Sequence, residues 1–582
     1  MDNEKRTLLA ITLSILILFA YQAFFSPPPK KKVQQDNGEK IQQVPSPEIP
    51  APQKKPEPKL AIADEKVSVP VDRSNDVVKV RTSVMNAVMT VYGARFKSVQ
   101  LHNYKERIAR PAIVKLKDRI FSGSQSRSVT ADINELKEVL YPDKNAFDLP
   151  LQASFITAEG TIYPDSNWTV SKGPTPRDLR FIQKNTDKLT IQKSLHFSDD
   201  DYHIDFILKL KNETDRVQDG SGFVEWTAPV PSSKGGGIFN SMAIYNKPRF
   251  SYFINNEIEK KELSDIEKEM IIEGDVSWTA VEEKYFTSVI VPVSENPAQV
   301  RVSRKNRETV CYKLIYPYTA LNPGDEKTYT FSLYIGPKDI DILRQQNALL
   351  EKTIDFGWFD IIAKPLLLSL KFFYSFTHNY GVAIILITII IKILFWPLAN
   401  KSFKSMKGMQ SIQPEIAKLK EKYGDNREEF AKQQMALYKQ YNVNPLGGCL
   451  PMLLQIPVFI ALYRVLADSI ELRHANFIAF WINDLSAKDP TYIAPLLMGA
   501  SMFFQQKMTP STADPTQAKM MMFMPLIFTV MFLSFPSGLV IYWLLNNVLS
   551  IAQQLYINKK LNVPGGNECS PSKPKPKQSK KQ

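Results

Sequence analysis

The chain is short of the residues that do covalent and metal chemistry. Its 582 residues hold three cysteines and five histidines. The topology read below puts Cys311 outside the membrane, Cys449 in it and Cys569 inside, so no intramolecular disulfide is expected. The histidines are scattered, and no HExxH, GxxxxGK[ST] or GxSxG motif occurs. Ser537-Gly538 follows Phe535-Pro536 and reads as a turn, because no base accompanies the serine. No catalytic residue, metal ligand or cofactor site is expected. Aspartate and glutamate are also missing from the apolar runs described next.

What is present is uneven. Lysine and arginine outnumber the acids 73 to 59, a formal charge of +14, and the mean hydropathy of −0.21 averages two unlike regions. Residues 7–25 are apolar, follow Lys5 and Arg6, and lack a small-x-small cleavage pattern, so 1–25 reads as an uncleaved transmembrane anchor. Residues 26–66 are rich in Pro, Lys, Gln and Glu and read as a Pro-rich tether. Over 67–345 the hydrophobic period is two. Ile204, Phe206, Leu208 and Leu210 alternate with polar neighbours, as do Tyr329, Phe331, Leu333 and Ile335, with similar runs at 77–80, 88–96 and 310–315. Turn signals such as Asn322-Pro323-Gly324 separate these runs, which predicts a large β-sandwich.

Residues 355–373 mix Asp355, Asp360, Lys364 and Lys371 with Trp358, Phe359 and leucines, the pattern of an interfacial amphipathic helix. Five further spans are predicted at 376–398, 446–466, 491–506, 520–535 and 539–557, forming a core over 376–558. The basic loop 399–445 reads as a helical hairpin, 401–423 bent at Pro414 and 426–441, turning at Gly424-Asp425. The 467–490 loop is net acidic, and the tail 559–582 is rich in lysine. Short basic segments stay in the cytoplasm, so both termini are placed inside and residues 26–355 outside. The predicted fold class is a multi-domain membrane protein, a six-span α-helical polytopic bundle carrying a large outer β-sandwich domain.

Lys392 interrupts the run YGVAIILITIIIKILFWP. A charge in hydrocarbon costs roughly 2.5–3.5 kcal/mol, so it marks function unless it snorkels to the headgroups. Thr388 shares its helix face. The last span carries Tyr542, Asn546, Asn547, Ser550, Gln553 and Gln554, of which 542, 546, 550 and 553 fall on one stripe, and the third span adds Gln455. These groups either hydrogen-bond between helices or line a hydrated cavity. With no acid in the spans to neutralise Lys392, the pattern points to a cavity that accepts something anionic. The fifth span opens with Met520, Met521, Met522, Phe523 and Met524 and continues through Phe528, Met531 and Phe532, an adaptable apolar surface. The hairpin charges either meet partners or form a solvated face. The tail either meets ribosomal RNA or anionic lipid, or only retains the C-terminus inside.

Four segments carry a family resemblance: MALYKQYNVNPLGGCLPMLLQIPVFIALY over 435–463, INDL over 482–485, MGASMFFQQKM over 498–508 and FMPLIFTVMFLSFPSGLVIY over 523–542. With the order of anchor, outer domain and five further spans, the chain resembles the YidC family of Gram-negative membrane protein insertases. The resemblance implies a multi-pass inner-membrane protein with a periplasmic domain like the sugar-mutarotase sandwiches. It implies that nascent membrane proteins are accepted and released into the bilayer, alone or beside the Sec translocon, with the hairpin and tail available to a ribosome. It places Lys392, Thr388 and Gln455 in a substrate groove, with Tyr542, Asn546 and Ser550 on its polar stripe. Phe459, Met520, Met524, Phe528, Met531 and Phe532 then form an apolar slide. Two residues depart from the family pattern: Lys392 stands for an arginine, which loses bidentate pairing, and Trp543 stands for a tyrosine. The rival reading, a secondary transporter of an anionic solute, calls for paired inverted repeats, and the sequence shows none.

Overall fold

In the computed structural model the described residues are 76–561 except 109–110, 112, 114–134, 141–148, 163–165, 186–187, 231–246, 347, 424–425, 442, 444–449 and 509–514. The expected anchor and tether over 1–66, Cys449, and the tail beyond 561 with Cys569 lie outside them.

Two antiparallel sheets face each other. The larger runs in the order Glu257–Glu262, Arg249–Ile254, Val276–Glu282, Phe286–Pro292, Glu326–Pro337, His203–Lys211, Lys188–Phe197, Asp178–Asn185, Thr169–Lys172. The other runs Met270–Ile272, Gln299–Arg304, Thr309–Ile315, Gln218–Pro229, Gln152–Thr157, Gly160–Thr161. Period-two alternation is what lets each sheet bury one face. Ile204, Phe206, Leu208 and Leu210 are all buried, and Phe206 stands opposite Phe331 with the rings stacked at 5.4 Å. Phe250 of one sheet meets Tyr312 of the other at 4.9 Å, which closes the sandwich. Such aromatic pairs add about 0.5–1.5 kcal/mol beyond their area.

A third sheet, not anticipated, joins Val77–Arg81, Met85–Thr90, Phe96–Lys105 and Leu136–Glu138. It packs Phe96 against Phe197 and Trp226, one from each larger sheet. The run 88–96 is therefore not one strand. It contains a hairpin turn, where Gly93 and Ala94 take positive φ of 73° and 49°.

Helix α1, Ile340–Gln345, is capped by Asp339, whose side chain accepts from the amides of Asp341 and Ile342. Helix α2, Asp360–Thr377, begins five residues later than expected. The Asp355 carboxylate accepts the Gly357 amide at 2.7 Å, and Gly357 takes φ +68°, a local turn that competes with helix. Helix α3, Tyr380–Ser411, runs unbroken past the boundary expected at 398. The next helices are α4, Gln413–Tyr423, and α5, Arg427–Gln440. Pro414 sits in the first turn of α4, where its missing N–H has no intrahelical partner to lose, so the break falls at Ile412.

Helices α6, Leu450–Asp468, α7, Ile493–Met508, α8, Pro515–Phe532, and α9, Ser537–Leu561, complete the bundle. Helix α9 packs on α3, α6 and α7, helix α7 on α8, and helix α2 on α3 and α6. By length and composition one helix among the described residues, Tyr380–Ser411, is able to cross a membrane, and Met522–Phe532 is a shorter apolar stretch.

The 469–492 segment gathers one end of each long helix. Asn379, the cap of α3, donates to the Phe477 carbonyl at 2.9 Å. A Cβ on Gly381 would lie 2.1 Å from the Phe477 ring, so only glycine allows this approach. The buried Asp489 accepts the Ala494 amide at the start of α7 at 2.8 Å. The Ser537 and Gly538 amides at the start of α9 donate to Ala487 and Leu485. The same segment meets the β-domain, where Arg473 donates to the Lys105 carbonyl at 2.7 Å.

Candidate functional site

A polar seam runs between α3, α6 and α9. The Lys392 ammonium donates to Ser550 Oγ at 2.7 Å, and Ser550 Oγ donates to the Asn546 carbonyl one turn back at 2.7 Å. Gln455 Nε2 donates to Asn546 Oδ1 at 3.0 Å. The seam thus ties the two helices flanking α9 to neighbouring turns of it. No carboxylate pairs with Lys392 among the described residues. The exposed side chains of α3 include Ile390, Ile393, Leu394 and Trp396, whereas Lys392 is half-buried and donates to Ser550 of α9.

The other expected groove residues differ in what they offer. Thr388 is buried and its hydroxyl donates to the Ile384 carbonyl at 2.6 Å, so its donor is spent within α3. Tyr542 is buried, its ring stacked on Phe459 at 6.3 Å. Its hydroxyl lies near Gln455 but makes no hydrogen bond of ordinary geometry with the described residues.

The polar residues of α9 face more than one way. Gln553 donates to Asn400 Oδ1 on α3 at 3.2 Å. Asn547 donates to Ser501 Oγ at 3.0 Å and Gln554 to the Met508 carbonyl at 2.7 Å, both on α7. The sequence separation of 547 and 554, two turns, already sets them on a shared face. Ser501 and Asn400 carry no sequence signal, because their partners come only from tertiary packing.

Beyond the seam lies an aromatic cluster. Trp543 meets Phe459 at 4.7 Å, Phe532 at 5.1 Å and Phe528 at 6.1 Å. Along α8 the expected slide passes from open to closed. Met524 is 45% exposed, Phe528 and Met531 are half-buried, and Phe532 is 1% exposed. Phe532 is thus a packing residue and not part of an open surface. Met520 belongs to α8, but its side chain lies outside those described.

Outside the bundle, Lys371 of α2 lies 3.1 Å from Asp339, 2.6 Å from Asp341 and 3.4 Å from Glu471. Burial pushes Glu471 up to about 7 against the pull of Lys371. Burial also opposes the Lys371 charge, but Asp341, Glu471 and Asp339 outweigh it and hold its pKa above the ordinary value.

These features define a class: a helical membrane protein with a polar interior seam and a β-sandwich joined at one end of its helices. A family model described as YidC periplasmic domain matches residues 77–369, and one described as 60Kd inner membrane protein matches 372–564. Membrane protein insertase YidC of Geotalea uraniireducens is 40% identical over 565 residues, 96% of this chain and 99% of that protein. The protein of the same name from Syntrophus aciditrophicus is 40% identical over 577 residues, 96% of this chain and all of that protein. The crystal structure of YidC from Thermotoga maritima aligns at 14% identity and a TM-score of 0.30, covering 83% of this chain and 98% of that one. The chain belongs to the YidC family, inner-membrane proteins with a periplasmic domain.

Proposed function

We propose that this chain inserts membrane proteins through the seam around Lys392. It crosses the membrane six times, with both termini in the cytoplasm. The observation that carries the reading is the Lys392 ammonium, turned inward onto a serine hydroxyl with no described carboxylate opposite. Twelve residues separate Tyr380 from Lys392, about 18 Å of helix. In hydrocarbon about 30 Å thick this puts the charge nearer the inner face. The 469–492 segment covers the outer helix ends, so water and substrate enter from the cytoplasm. The buried Tyr542 hydroxyl, which makes no hydrogen bond of ordinary geometry among the described residues, suits a water or a polar group of the client, since an unpaired buried donor costs about 1–3 kcal/mol.

An incoming chain lends an acidic residue to Lys392 while its apolar stretch lies along Phe459, Met524, Phe528 and Met531. Transfer of that stretch into lipid, about −0.3 to −0.6 kcal/mol per large apolar residue, supplies the drive without nucleotide. Thr388 shapes the wall without donating to the client. The Sec translocon and a ribosome bound at the hairpin and tail are the partners this reading predicts.

The test is insertion into liposomes holding the purified full chain. Lys392→Ala is expected to lower insertion of clients with acidic external tails several-fold more than of neutral ones, and Lys392→Arg to restore it. Equal insertion of both client types by Lys392→Ala would refute the role of the charge. Flux of a small anion without insertion would favour the transporter.

A further inference from the structure

A charged cavity lies outside the seam, where the β-domain meets α2 and the end of α6. We propose that it binds the phosphate of a phospholipid headgroup from the outer leaflet. Its volume is about 60 Å³, it opens to solvent, and it is lined by residues of both regions.

Charge pairing inside it is unequal. Glu282 is buried and carries two lysines, Lys338 at 2.8 Å and Lys260 at 3.4 Å. Lys260 also reaches the Thr353 carbonyl at 2.9 Å and Asp355 at 3.8 Å. Glu471 faces the cavity but is engaged by Lys371, which does not line it. Arg249 and Lys284 have no carboxylate within ion-pair distance among the described residues, and Lys284 rests 4.9 Å from the Tyr285 ring. Asp468 stands in the field of Lys284, Arg464, Lys338 and Arg249. Six cationic side chains line the cavity against five carboxylates, a surplus that one anionic group would balance.

Depth selects a lipid as its source. On the outer side α2 and its preceding turn expose Trp358 at 75%, Ile361 at 84%, Phe372 at 58% and Phe376 at 70%. Aromatic and aliphatic side chains on such a face settle at the boundary between headgroups and acyl chains. The cavity includes Leu367 and Phe356, the covered side of the same segment, so it opens at headgroup level. A basic group near a bilayer contributes about 1 kcal/mol toward an anionic headgroup.

The experiment is native mass spectrometry of the full-length chain in detergent. The probes are dioleoyl phosphatidylglycerol, dioleoylglycerol without phosphate, inorganic phosphate and a Glu-rich peptide. Saturable phosphatidylglycerol adducts are expected, with Arg249→Gln/Lys284→Gln weakening them roughly tenfold. Arg249→Lys/Lys284→Arg should keep them, and an unchanged thermal midpoint of the Gln variant shows that it folds. Dioleoylglycerol adducts of equal strength would overturn the proposal. So would full displacement by inorganic phosphate, which marks a free-anion site, or by the peptide, which marks a polypeptide site. Unchanged lipid affinity in the folded Gln variant would also overturn it.

Discussion

Lys392 and Ser550 are coupled by one hydrogen bond, and its strength depends on what else reaches the ammonium. In a dry interior, removing the hydroxyl leaves a buried charge unpaired and costs several kcal/mol. In a hydrated groove, water replaces the serine and the loss is the roughly 0.6 kcal/mol typical of polar contacts between membrane helices. Ser550→Ala is therefore expected to cost less than about 1 kcal/mol, read from the thermal midpoint in detergent. A loss of several kcal/mol would show a sealed site and remove the basis for the groove. Lys392 was legible in the sequence because a charge in an apolar run is conspicuous. The roles of its neighbours were not. That Thr388 spends its donor on its own helix, and that Phe532 is packed away, depends on backbone positions no spacing rule supplies.

At the scale of elements, α7 and α8 touch at a point that tolerates no side chain. A Cβ on Gly499 would lie 1.9 Å from Thr529 Oγ1, itself held by a 2.6 Å bond to the Pro525 carbonyl. Alanine at a helical glycine gains up to about 1 kcal/mol in propensity, but overpacking costs about 1–3 kcal/mol. Gly499→Ala is expected to be net destabilising by about 1–2 kcal/mol, and Gly499→Ala/Thr529→Ala to recover most of the loss. A thermal-melt cycle over the four proteins measures the coupling, and additive single effects would contradict the contact. The helices themselves were legible, since apolar length placed four of them, Leu450–Asp468, Ile493–Met508, Pro515–Phe532 and Ser537–Leu561, to within about five residues. Their ends were not. Helix α3 passes the expected boundary at 398, carrying Pro397 within it, and ends only at Ile412, where Pro414 opens α4. Likewise 88–96 reads as a strand until two left-handed residues fold it into a hairpin.

Across the whole molecule, the described polar contacts between the β-domain and the helices include a cluster around Lys371. Its ammonium serves Asp339 beside α1, Asp341 within it, and Glu471 beyond the end of α6. Burial is the main reason that the Glu471 pKa stands at about 7, with Lys371 pulling it down and Asp339 adding to the rise. The folded protein therefore binds a proton there that the unfolded chain, with its glutamate near the ordinary value, has released. Between that ordinary value and about 7, stability falls as pH rises, by at most about 1.4 kcal/mol per pH unit for the single proton. Glu471 thus favours the joined state most fully below its ordinary pKa and loses that contribution as pH climbs through about 7. Glu471→Gln holds the neutral form at every pH. It is expected to flatten this part of the pH profile and to raise the unfolding midpoint above pH 7 relative to the parent. Lys371→Met, which strips the cluster of its cation, should extend the fall to higher pH and lower the midpoint at neutral pH. Unfolding of the full chain followed from pH 5 to 8 checks all three, and a parent profile that is flat across that window would show that Glu471 is ionised throughout and that the junction is insensitive to protons.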